Sequence, residues 1–188
     1  MKGRIVTVVS VLVVIAILVI AYFAFVGATV PAKDVGAKKD PTGKNRDPIA
    51  YSVINMVCGL RKPPLSSWDG RVESVTILTY AWTPGAAQIT ANEKFDLLGL
   101  FQSHPECWVT LRITGPANYL PVEFISDHQK VAVDIETFHW TTTSFGPFTA
   151  KFWDAGSYTL TINFYRMDND KPALMDSSIQ MIEVSAVA

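Results

Sequence analysis

Cysteine is scarce in this sequence, charge is sparse, and several chemical signatures are missing altogether. Cys58 and Cys107 are the only cysteines, and 18% of the 188 residues are Asp, Glu, Lys or Arg. A separation of 49 residues makes neither a CxxC redox motif nor the paired cysteines of a binuclear copper centre. No His or Met follows Cys107 at the spacing of a blue-copper loop, and His104, His128 and His139 fall on different segments. No metal centre is expected. A Gly-x-Ser-x-Gly elbow, a phosphate loop and a dinucleotide fingerprint are also absent. Basic residues are not in excess where they would matter. Residues 51–188 hold nine Lys or Arg against 14 Asp or Glu, a formal −5 that excludes a nucleic-acid face. No Asn-x-Ser/Thr sequon occurs, which favours a domain tucked under a surface layer or covered by a partner over an exposed filament.

Long apolar runs are missing as well, with one exception. Ile5 to Val26 is 22 residues without a charge, 20 of them hydrophobic. At about 1.5 Å per residue a helix of that length spans a hydrocarbon core of about 30 Å. It is too long for the apolar stretch of a cleaved signal peptide. The expectation is an uncleaved anchor over 1–29, and its uniqueness excludes a polytopic membrane protein. A count of basic residues places Lys2 and Arg4 against Lys33, Lys38, Lys39, Lys44 and Arg46, which taken literally keeps the large domain inside. The short N-tail and the domain's composition argue the other way: N-terminus cytoplasmic, domain extracytoplasmic, one pass through the cell membrane.

Residues 30–47, VPAKDVGAKKDPTGKNRD, lack apolar periodicity and read as a basic linker that is either a solvated spacer or a contact for anionic lipid headgroups or a partner. From 48 to 188 the pattern is that of one domain. Asp47-Pro48 followed by Ile49, Val53, Met56 and Val57 and then Gly59 predicts a short helix, although the β-branched content permits a first strand. Strands are predicted over 74–82, 108–114, 131–136, 148–152, 158–165 and 179–184, punctuated by Pro84-Gly85, Gly115-Pro116, Gly146-Pro147 and 168–172. Thr90-Ala-Asn-Glu93 resembles a capping box, which predicts an inserted helix carrying Phe95, Leu98 and Phe101 on one face. Asp154-Ala-Gly-Ser-Tyr158 resembles the corner that leads into strand F of immunoglobulin-like sandwiches, where a Tyr hydroxyl bonds back to the backbone. The fold class expected is therefore mainly β: an antiparallel immunoglobulin-like β-sandwich with a short inserted helix, preceded by one transmembrane helix.

The residues able to carry chemistry are few. An oxidising exterior favours a disulfide between Cys58 and Cys107; a redox pair is the alternative, with His104 near enough in sequence to Cys107 to lower its pKa. Ser126-Asp127-His128 reads as a polar turn, because triads assemble in space and gain nothing from adjacency. Trp82, Trp108, Trp140, Trp153 and the nearby Phe145, Phe148 and Phe152 fit a core, or in part a patch facing a partner or the membrane.

The stretches WTPGAAQITANEKFDLLGLF (82–101) and GPFTAKFWDAGSYTLTINFYRMDNDKPAL (146–174), with one N-terminal anchor and a β-rich body, resemble the DoxA family. These are the small subunits of archaeal thiosulfate:quinone oxidoreductase, an enzyme of sulfur metabolism. The resemblance implies a complex that oxidises thiosulfate to tetrathionate outside the cell and passes electrons to a membrane quinone and onward to a terminal oxidase. A multi-span DoxD-like subunit is the implied partner and holder of the quinone; no cofactor is implied on this chain, which is not a complete enzyme alone. Thiosulfate is a dianion, so Arg112, His104 and Lys151 are the candidate binding residues. Attack of thiosulfate on a disulfide gives Cys58 and Cys107 a candidate catalytic role. The competing reading is a non-catalytic immunoglobulin-like accessory, stator or adhesion subunit of a surface or respiratory complex.

Overall fold

The computed structural model describes residues 29–31, 33–35, 40, 43–83, 90–92, 103–117 and 119–186. The apolar run 5–26 lies outside them. Within them the chain is mainly β, with no helix and therefore none long and apolar enough to cross a membrane. The strands are β1 (Thr29–Pro31), β2 (Lys33–Asp34), β3 (Ala50–Arg61), β4 (Asp69–Ala81), β5 (Thr90–Asn92), β6 (Glu106–Thr114), β7 (Val122–Ile125), β8 (Gln129–Lys130), β9 (Thr141–Phe152), β10 (Gly156–Asp168) and β11 (Lys171–Val184).

Two sheets face each other. One has the order β2-β9-β3-β4, the other β11-β10-β6-β7 with β8 beside β6, and β1 pairs with β5 as a separate ribbon. Alternation along β10 explains the core. Tyr158, Leu160, Ile162 and Phe164 point inward and are fully buried, between partly exposed neighbours. The opposite sheet answers with Ile54, Met56, Phe145, Phe148 and Phe152. Aromatic rings meet across the gap: Phe152 and Tyr158 at 4.6 Å, Phe124 and Phe148 at 5.5 Å, Phe145 and Phe164 at 6.1 Å between centroids. Trp108 and Trp153 are buried too, so most of the aromatic set packs the molecule and does not form a patch.

The corner before β10 forms. Tyr158 Oη donates to the Asp154 carbonyl at 2.8 Å. The Asp154 carboxylate accepts from Arg46 Nη2 at 2.8 Å; Arg46 also bonds Asp40, and its carbonyl accepts from Trp153 Nε1 at 2.9 Å. Removing the hydroxyl in Tyr158→Phe is expected to lower stability by about 1 kcal/mol, the net worth of one partly buried hydrogen bond, measured by urea unfolding against wild type.

Several expectations are corrected. Residues 50–61 are a strand and not a helix. β3 is central and buried on both faces, so the period of two is hidden, and β-branched Val53, Ile54 and Val57 suit the extended backbone. Thr90–Asn92 is a strand paired with Thr29–Pro31, so these residues open no helix; the proposed helical face of Phe95, Leu98 and Phe101 lies outside the described residues. The 131–136 strand is reduced to a single bridge, Ser103 with Val133. Asp134 Oδ1 there accepts from the backbone N–H groups of Glu136 (2.8 Å) and Thr137 (3.3 Å), which turns the chain and holds the carboxyl below its usual range. Gly146-Pro147 sits inside β9 as a bulge opposite Asn55 and not between strands. Gly146 has φ +115°, and a Cβ there would lie 2.7 Å from the Ile54 carbonyl oxygen. The basic linker is partly fastened down as well: β2 runs parallel to β9, Val35 is fully buried, and Arg46 docks on Asp154.

Candidate functional site

The cations singled out above do not converge, whereas Cys58 and Cys107 come near enough in the core for a charge on Cys107 to act on Cys58. Arg112 stands on β6 between inward-facing Leu111 and Ile113, exposed on the outer side and paired with Glu123 at 3.4 Å. Lys151 stands on β9 of the other sheet, alternating with buried Ala150 and Phe152, and bonds Asp34 at 2.7 Å. Their side chains leave opposite faces of the sandwich. His104 precedes β6 and makes a contact of its own. Ser126 is a structural hydroxyl, accepting from Val109 N at 3.0 Å, and His128 stacks on Trp108 at 4.2 Å and bonds Glu106.

Cys58 on β3 and Cys107 on β6 both face the core, both free and fully buried. The expected disulfide is not formed. Burial pushes each thiol up to about 12 from 9.0; for Cys107 the nearby Arg166 opposes the rise without cancelling it. A thiolate nucleophile is disfavoured at both positions.

The site that does form lies at one end of the sandwich, where β4 and β11 draw together. Val72 N donates to Asp176 Oδ2 at 2.7 Å, and β11 carries a bulge at Met175 opposite the Phe164–Tyr165 step. An open cleft of about 440 Å³ is walled by Trp68, Trp140, Arg166, Asp168, Leu174 and Met175, among others. Arg166 is the unusual member. It continues the inward row of β10 after Phe164, a place where an apolar residue would pack, and is only 6% exposed. Nη1 donates to the Met167 carbonyl at 2.8 Å and Nη2 meets Asp168 Oδ1 at 3.0 Å, while Nε is buried without an acceptor. Cations are stacked on the two indoles. Arg166 and Lys62 lie over Trp68 at 4.8 and 5.7 Å; Arg71 and Arg61 lie over Trp140 at 4.1 and 4.6 Å. Gly59 makes room for this layer: a Cβ there would come within 2.6 Å of Glu73 Oε1 and 3.1 Å of Trp140. Asp69 and Glu73 pair Arg61 and Arg71, at 3.3 and 2.8 Å.

Arg166, Trp68 and Trp140 carried no sequence motif. One signal was available: Arg166 holds the fifth place in the row Tyr158, Leu160, Ile162, Phe164, a charge at a core-facing register position. Among the described residues no three His, Cys, Asp or Glu side chains gather as a metal would require. No protein-family model, no curated protein and no solved structure matches this chain.

Proposed function

We propose that the chain is a membrane-anchored, extracytoplasmic accessory subunit of a membrane complex, built on an immunoglobulin-like sandwich that contributes binding surface and no redox chemistry of its own. The observation that carries this reading is the burial of both thiols. The residues best suited to electron or sulfur transfer sit protonated inside the core, out of reach of a substrate. The immunoglobulin-like assignment draws on the order β11-β10-β6-β7, which parallels strands G, F, C and C′, and on the tyrosine corner at the start of β10. The 22-residue apolar run supplies the anchor.

The resemblance in 82–101 and 146–174 selects thiosulfate:quinone oxidoreductase as the complex, with a DoxD-like multi-span subunit holding the quinone and terminal oxidase subunits downstream. Affinity isolation of the chain from native membranes in mild detergent tests it. A multi-span partner and thiosulfate-dependent quinone reduction in the isolate are expected. Isolation with filament or motor components and without that activity would transfer the chain to an adhesion or stator role. Loss of every membrane partner would remove the accessory role itself.

A further inference from the structure

A buried guanidinium is costly unless all of its donors are met, because each unpaired N–H forfeits its hydration without return. Arg166 breaks that rule at one atom, Nε. The Nε and Nη2 hydrogens lie along one edge of the guanidinium, the edge that a carboxylate grips with both oxygens. Asp168 Oδ1 stands 3.0 Å from Nη2 as an ion-pair partner, with a side chain 52% exposed beside the β10–β11 turn. An incoming carboxylate that displaces Asp168 satisfies both donors. Part of the remaining wall favours an organic body behind that head group: Ala173, Leu174 and Met175 are apolar, beside Ser67 and Asp69, and about 440 Å³ exceeds the room an inorganic ion needs. The stacked Arg61 and Arg71, each paired with a carboxylate, leave the surrounding field close to balanced, which suits a singly charged ligand better than a polyanion.

We propose that the cleft between Trp68, Trp140 and Met175 binds a small organic acid, with its carboxylate bidentate on Arg166 in place of Asp168 and its apolar part against Leu174 and Met175. This site does not rest on the reading of the chain as a complex subunit.

Titration calorimetry on the full chain at constant ionic strength, with sodium benzoate, acetate and sulfate as probes, tests the site. Benzoate is expected to bind saturably and more tightly than acetate. Arg166→Met is expected to weaken benzoate at least about tenfold, the scale of one charge-assisted bidentate contact. Asp168→Asn removes the internal competitor and is expected to tighten it about threefold or more, a gain that a purely structural ion pair would not give. Arg112→Met, on the outer face, should leave binding unchanged. Should Arg166→Met fail to fold, the Arg166 Nε–H resonance of the unmutated chain is followed by NMR, and benzoate should shift it. Absence of saturable binding, equal affinity in Arg166→Met, or an unmoved Nε–H resonance overturns the site. Sulfate binding tighter than benzoate overturns the organic-acid assignment.

Discussion

Replacing Phe164 with alanine is expected to lower the free energy of unfolding by about 3–5 kcal/mol. Phe164 is fully buried in the middle of the inward row of β10, and its ring meets Phe145 of the opposite sheet at 6.1 Å. It also lies against the start of β4, where a Cβ on Gly70 would come within 3.0 Å of its Cε1. The cavity left by the ring is bordered by two sheets and a strand junction, none of which can close on it without breaking ladder hydrogen bonds. Ile179→Ala is the companion variant. Ile179 is 66% exposed on edge strand β11, and its loss should cost within about 0.5 kcal/mol. Urea unfolding of the two variants measures the difference. A loss below about 1 kcal/mol at Phe164 would contradict close packing of the sheets at that point.

Native-state thiol labelling should be slower than in the unfolded chain by at least about a thousandfold at pH 8, since a rise from 9.0 to about 12 reduces the thiolate from about one in ten to about one in ten thousand. Denied access to the reagent adds to that factor. The same shift makes stability fall in alkali. Thiols in the unfolded chain ionise from near 9.0, while those in the folded chain keep their protons to about 12. Between those values the unfolded state holds fewer protons, so the contribution is complete below pH 9 and is lost as pH rises through the window. Tyr119, pushed by burial from 10.0 to about 12, acts in the same direction. Cys58→Ser with Cys107→Ser should lower the melting temperature and, on the proposed assignment, leave thiosulfate-dependent quinone reduction by the isolated complex unchanged. Fast labelling of the native chain, or loss of turnover with folding intact, would restore a chemical role to the pair.

The outline of the fold was legible where strands have one wet face and one dry face. β10 announces itself because Tyr158, Leu160, Ile162 and Phe164 alternate with Thr159, Thr161 and Asn163, and the tyrosine corner fixes where it begins. β3 was ambiguous for the opposite reason: buried on both sides, it offers no polar phase, and Ile49, Val53, Met56 and Val57 fit a helical stripe equally well. Val131 to Glu136 alternates without becoming a strand, because Val131 and Val133 reach the core from a segment that Asp134 then turns away. The cleft was hidden more deeply. Trp68, Trp140 and Arg166 come from three distant parts of the chain and meet only once β4 and β11 close one end of the sandwich. Arg112 and Lys151 looked suitable as isolated cations on strands, but outward positions on opposite sheets cannot share a ligand.

The docking of β2 along β9 and of Arg46 on Asp154 also sets a length. On the proposed anchored reading, with the apolar run ending at Val26, six residues lie between it and Lys33, where the chain first joins the two-sheet body. The path from Val26 to Lys33 can reach at most about 25 Å. An anchor at that distance would hold the domain close to the membrane surface and deny it the space of a freely swinging module. A partner of the domain so anchored would engage it near the headgroups.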